Sequence, residues 1–469
     1  MVLGLLLPWL CASIGPALAH TGGSGFMLLL PTGYYLAGGT LAVHVSFILV
    51  FLLPARPLER LAAARLDLGE IRLPSRTFCS ALSFAFLLLL LLAGFFGSAD
   101  PRLNPLPVFI WSLWWVGFTF VQALAGDLWH RLNPWIAPYR LIMRLLRRAE
   151  PSLRYPDWLG YWPALLGFGG FAWFELVDLA PDDPDRLAVA VLAYGAVTLS
   201  GMVLFGGDIW LARADPFSVF LRLVAHLSPL DPVMVDAARP DHRRFYLVPP
   251  GCRLFHLPPM PMSGTLFVLL TLSTVSFDGL SETFWWLGLG GINPLEFPGR
   301  SAVTGLNSIG LVGMWLALAA AYLLAVALGR LINPALPAGR AAGILVVSIV
   351  PISLAYQFSH YLTVLLVDVQ YAILALSDPL GLGWNLLGSE RTYVTTSFLN
   401  NYHSVVMIWN LQAGAVVAGH LVAVVVAHIL SVRLGGAGWR APLGQVPLAV
   451  LMVLYTLFGL WLLSAPVAG

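Results

Sequence analysis

Ten apolar stretches dominate this 469-residue chain. Each approaches the roughly 20 residues that a helix needs to cross the hydrocarbon core of a bilayer. They lie near 33–54, 78–98, 107–126, 158–177, 187–210, 263–277, 303–329, 343–367, 402–431 and 447–466. Only 10% of residues are charged, against about a quarter in soluble domains. The pattern predicts an all-α, polytopic helical bundle of about ten transmembrane helices, forming one transmembrane domain over 20–469. The sixth stretch is short and runs into Asp278-Gly279, which predicts a broken or half-buried helix.

Charge sets the expected orientation. The chain has 25 basic residues, all Arg, and 21 of them fall in loops 55–77, 127–157, 211–262, 330–342 and 432–446. The positive-inside rule makes those loops cytoplasmic. Both mature termini then lie on the extracytoplasmic side of a bacterial inner membrane. Residues 1–19 read independently as a cleaved signal peptide, with an apolar core ending in Ala17-Leu18-Ala19. Cleavage there makes His20 the mature N-terminus. No nucleotide-binding loop is present, and no nucleic-acid partner is expected.

One motif recurs in parallel. Gly126-Asp127-Leu128-Trp129 is followed by Asn133-Pro134-Trp135, and Gly207-Asp208-Ile209-Trp210 by Asp215-Pro216-Phe217. Asn or Asp before Pro suits an N-cap and first helical position. The basic, apolar-periodic stretches that follow predict two interfacial amphipathic helices on the cytoplasmic leaflet. Arg330-Leu331-Ile332-Asn333-Pro334 is a faint third copy. Loop 211–262 reads as structure facing lipid headgroups.

Ionisable residues inside a membrane are costly and are the default functional candidates. His44 sits mid-span in the first stretch, His360 in the eighth, and His420 and His428 in the ninth. His420 and His428 are eight residues apart, a rise of about 12 Å, so they cannot share one ion. His428 is expected to meet headgroups. Asp278 and Glu282 stand one turn apart at the exit of the sixth span, with Asp278 or Ser281 available to cap the next helix. Glu175, Asp178, Asp368 and Asp378 add to an acidic rim on the outer side. Imidazoles with carboxylates are what a hydrolytic metal site or a proton pathway uses. Asp278, Glu282 and His360 are the candidate catalytic residues. His360, His420, His44 and His20 are the candidate metal ligands, for a divalent ion such as Zn or Cu.

Several blocks resemble the bacterial membrane proteins of the fenitrothion hydrolase family. They are Phe277-Asp278-Gly279-Leu280-Ser281-Glu282, Pro351-Ile352-Ser353-Leu354-Ala355-Tyr356 with His360-Tyr361, and Ser377-Asp378-Pro379-Leu380-Gly381. Gln412-Ala413-Gly414-Ala415 with Gly419-His420, Phe458-Gly459-Leu460-Trp461 and the Asn133-Pro134-Trp135 block extend the likeness from about residue 107 to the end. The resemblance implies hydrolysis of an organophosphorus triester, a small lipophilic substrate, and a second membrane subunit in a hetero-oligomer. It assigns no catalytic residues, and the roles above come from residue chemistry alone. Two other readings stay open. One is a transporter or copper-handling protein, in which the free amine and imidazole of His20 suit Cu(II). The other is a non-catalytic subunit of a membrane complex.

Overall fold

The computed structural model describes residues 32–52, 55–236, 239, 241–296, 299–389, 392–435 and 443–466. The segment 1–19 expected to be a signal peptide, and His20, lie outside the described residues. The fold is predominantly helical, and among the described residues eight helices are long and apolar enough to cross a membrane. These are α2 (Arg76–Phe96), α3 (Pro105–Ala125), α6 (Pro184–Phe205), α8 (Met262–Ser281), α9 (Arg300–Ile332), α10 (Ala341–Ser377), α11 (Tyr402–Gly435) and α12 (Val446–Ser464). The other two predicted spans are also helical, as α1 (Thr32–Leu52) and the shorter α5 (Trp162–Leu176). Two further helices, α4 (Ile136–Leu145) and α7 (Pro216–Ala225), follow the two motif copies.

Helix α8 is the axis of the bundle and is neither broken nor half-buried. It packs against α5, α9 and α10, and nearly all of it is enclosed by protein. Its hydroxyl side chains would be costly there without partners. Thr271, Ser273, Thr274 and Ser276 each return a hydrogen bond to a carbonyl three or four residues back. Ser276 also meets the Tyr455 hydroxyl at 2.6 Å. A sequence that looks too polar to span is therefore satisfied locally and sits in the centre.

The amphipathic expectation fails for the second motif copy. Every residue of α7 except Arg222 is buried, and the Arg222 guanidinium donates to the Ala212 carbonyl at 2.5 Å. Its other residues are apolar except Ser218, whose hydroxyl is hydrogen-bonded within the protein, so nothing else on the helix requires water. Helix α4 exposes its two arginines, Arg140 and Arg144, and stays at the periphery, with only Ile136 and Met143 buried. The two motif copies interlock. Trp129 Nε1 and Asn133 Nδ2 both donate to Ser218 Oγ at 3.1 Å. Asp215 caps α7 through the Ser218 amide and receives the Tyr194 hydroxyl at 2.5 Å. Asn133 and Asn333 each accept from the amide two residues on, an Asx turn that the faint third copy shares.

The arginine-rich loops gather at one end of the bundle. Residues from loops 55–77 and 211–262 form a three-stranded antiparallel sheet, absent from the sequence reading. Its strands are β1 (Leu66–Arg72), β2 (Leu230–Met234) and β3 (His242–Leu247), in the order β1-β3-β2. Arg131–Asp241 and Arg76–Asp208 ion pairs, both at 2.9 Å, join loop 127–157 and the α2 entrance to the same end. His428 does not meet headgroups. It is 2% exposed and receives Gln445 Nε2 on its Nδ1 at 2.8 Å.

Helix α3 is π-helical over Val108–Phe118. Such widening leaves carbonyls without their usual partners and recurs at functional sites. Gln357 of α10 donates to one of them, Trp115 O, at 3.0 Å. Ser112, on the same stretch, hydrogen-bonds Asp368 of α10. The widened turn thereby docks α3 onto α10, the helix that carries His360.

Candidate functional site

Three helices that are distant in sequence bring one polar cluster together at the end opposite the arginine-rich loops. Asp278 comes from the last turn of α8, His360 and Tyr361 from α10, and Glu175 from the last turn of α5. His360 Nε2 lies 2.8 Å from Asp278 Oδ2. The Tyr361 hydroxyl lies 2.6 Å from the same oxygen and 3.0 Å from Glu175 Oε1. Asp278 is 5% exposed, whereas the His360 side chain keeps 25% of its surface. The imidazole is thus half-buried and is more accessible than the carboxylate it meets.

Counting hydrogens constrains the cluster. A phenol has one proton to donate. Tyr361 stands within hydrogen-bonding distance of two carboxyl groups, so a second proton, on a carboxyl group, is needed to complete both bonds. The second oxygen of Glu175, Oε2, is sealed from solvent and has no hydrogen-bond partner. Trp115 is a neighbouring polar group there, without reaching hydrogen-bonding geometry. The arrangement holds protons close to an imidazole that reaches the surface.

Capping does not explain Asp278. The short helix Phe284–Leu289 is capped by Thr283, whose hydroxyl accepts from the Trp286 amide at 3.2 Å. Ser281 donates to the Asp278 carbonyl at 2.9 Å. The Asp278 carboxylate meets His360 and Tyr361. Glu282 is the C-cap of α8, and its charge bears on His360.

Most of the expected acidic rim has structural work. Asp178 takes both its oxygens to Arg186 Nη2, at 2.8 and 2.7 Å. Arg300 donates to the Glu175 and Asp178 carbonyls at 3.0 Å and closes the end of α5. Asp378 accepts the Leu382 and Gly383 amides in the loop after α10. Asp368 holds Ser112.

The predicted metal ligands are not gathered. His420 is fully buried in α11, with Nδ1 2.8 Å from the Val416 carbonyl of its own helix and Nε2 without a partner. His44 is exposed, in a cleft between α1 and α12 lined by Phe47, Ile48 and Val450. His360 faces Asp278. Among the described residues, no group of three or more His, Cys, Asp or Glu is placed to hold a metal ion. A site for Zn or Cu is therefore not assembled there, and no step below runs through one.

The sequence reading omitted Tyr361 and left Glu175 in the rim. Tyr361 adjoins His360, and a lone carboxylate in an otherwise apolar span such as 158–177 was the available signal. No protein-family model matches the chain, and neither a curated protein nor a solved structure is similar to it.

Proposed function

We propose that the chain is a multi-pass membrane hydrolase acting on neutral, lipophilic esters of the organophosphorus triester type, with Asp278 and His360 as its acid–base pair. The observation that carries this reading is the 2.8 Å contact of His360 Nε2 with a buried carboxylate, on a side chain that keeps a quarter of its surface accessible. With Nε2–H donated to Asp278, Nδ1 presents a lone pair. It takes the proton of a water whose oxygen attacks phosphorus. The bond to the aryloxide breaks, and the aryloxide leaves as the anion. Tyr361 holds Asp278 from the other side and is a positioning residue. A triester is uncharged and needs no arginine clamp. That agrees with Arg186 and Arg300 being committed to Asp178 and the end of α5.

The bilayer is the natural source of such a substrate. Eight long apolar helices support membrane residence, and the shared placement of the arginine-rich loops supports the orientation that makes them cytoplasmic. The test is nitrophenolate release from washed membranes, given a neutral nitrophenyl phosphorothioate triester, across about pH 6 to 10. Asp278→Asn is expected to lose at least about 100-fold, the lower end of what a positioned acid–base group contributes. Undiminished turnover in that variant overturns the assignment. A second reading is favoured by one observation. Glu175, Tyr361, Asp278 and His360 form a continuous hydrogen-bonded chain that ends on a half-buried imidazole, the arrangement of a proton path.

A further inference from the structure

A second feature lies beside the acid cluster and has no part in the chemistry above. A cavity of about 640 Å³ opens between α2, α3, α5 and α6, floored by the start of α7. Its size falls in the range of small-molecule sites, roughly 300–1,000 Å³. No charged side chain lines it. Its polar residues are few. The Tyr194 and Thr198 hydroxyls are both turned to Asp215, at 2.5 and 3.5 Å.

The walls are aromatic. Trp111, Trp114, Trp129, Trp135 and Trp210 line the cavity with several Phe side chains. Trp114 and Phe171 both meet Phe217 edge to face, with centroids 4.7 and 4.9 Å apart, and Tyr194 does so at 5.2 Å. Edge-to-face pairs leave ring faces and edges available to a further π-system. A saturated acyl chain offers these rings no π partner, and a charged headgroup meets no counter-charge.

We infer that this cavity is a binding site for a neutral, arene-bearing lipophile that enters sideways from the bilayer. The inference goes beyond the catalytic reading, because occupancy is read without turnover. The cavity also has a built-in control position. Gly170 lines it, and a Cβ placed there meets nothing within 4 Å. Leucine at 170 therefore projects into the open space without a clash at its Cβ, and it favours helix over glycine. Gly313 of α9 is equally unobstructed and does not line the cavity.

The experiment uses the full chain in lipid nanodiscs and 4-bromobiphenyl as the probe, since bromine quenches indole emission on contact. Five of the 17 tryptophans line the cavity. Wild type and Gly313→Leu are expected to show a saturable quenching component that unbrominated biphenyl reverses. Gly170→Leu, melting like wild type, is expected to bind at least tenfold more weakly. Ala190→Phe, from the facing helix, is the second obstruction should Gly170→Leu fail to fold. Quenching that only rises linearly in wild type overturns the inference. So does equal saturation in the obstructed variants. Absence of the saturable component in nanodiscs of phospholipid with brominated tails, the cavity tryptophans being already quenched there, would identify a groove for acyl chains instead. Loss of triester turnover with intact biphenyl binding would count against the hydrolase reading and leave this site standing.

Discussion

Replacing Tyr361 by Phe removes one oxygen from the centre of the cluster and leaves the ring in place. The structure sets the size of the effect. The phenol is 6% exposed and spans two carboxyl groups, at 2.6 Å to Asp278 and 3.0 Å to Glu175. A hydrogen bond to a charged group contributes about 1.5–3 kcal/mol, and a buried polar group left without a partner costs about 1–3 kcal/mol. Asp278 keeps His360, so its loss is partial. Glu175 Oε1 loses its hydrogen bond to Tyr361, and Oε2 has none to begin with. The expected destabilisation of Tyr361→Phe is about 2–4 kcal/mol. Equilibrium unfolding in mixed micelles measures it. Glu175→Leu combined with Tyr361→Phe is expected to cost less than the sum of the singles, by about 1–2 kcal/mol, because neither partner is then stranded. A single-variant cost below about 0.5 kcal/mol, together with strict additivity, would refute the claim that the phenol joins the two acids.

Two further outcomes are expected. Ser218→Ala strands the buried Trp129 and Asn133 donors at the joint between the motif copies and is expected to cost about 2–4 kcal/mol in the same unfolding assay. His226 follows α7, outside the long apolar helices; burial pushes its pKa down to about 4, with Arg253 and Arg222 adding to the effect against the Arg222 carbonyl. Its folded value lies below the unfolded one of about 6.5, so the unfolded state takes the proton first. Stability falls as pH drops from about 6.5 towards 4, and His226→Gln is expected to flatten that slope in thermal unfolding followed by circular dichroism.

The helices were readable because a long apolar run has few alternatives to a membrane-crossing or buried helix. All ten predicted stretches are helical. What escaped were relations between distant segments. Helix α7 looks amphipathic alone, yet its one arginine finds a carbonyl and the rest packs into the core. The serines and threonines of α8 read as a weak span, because their bonds to preceding carbonyls leave no trace in residue type. The sheet pairs strands about 175 residues apart, as in the Glu70–Arg244 register, and its arginine-rich strands show no clean alternation. For the site, Asp278 and His360 were legible as ionisable groups in apolar surroundings. Their pairing, and the choice of Tyr361 and Glu175 over His44 and His420, depended on which faces of α5, α8 and α10 meet.

Chemical rescue tests the central claim most directly. His360→Ala in washed membranes, supplied with the nitrophenyl phosphorothioate triester, is expected to lose at least about 100-fold in nitrophenolate release. Added imidazole is expected to restore part of that turnover, since the truncation vacates the ring's own space at a side chain that is a quarter accessible. The restored rate should rise with the fraction of imidazole in its neutral form. Turnover equal to wild type without imidazole would contradict the account, because the water would then be activated by a group other than His360.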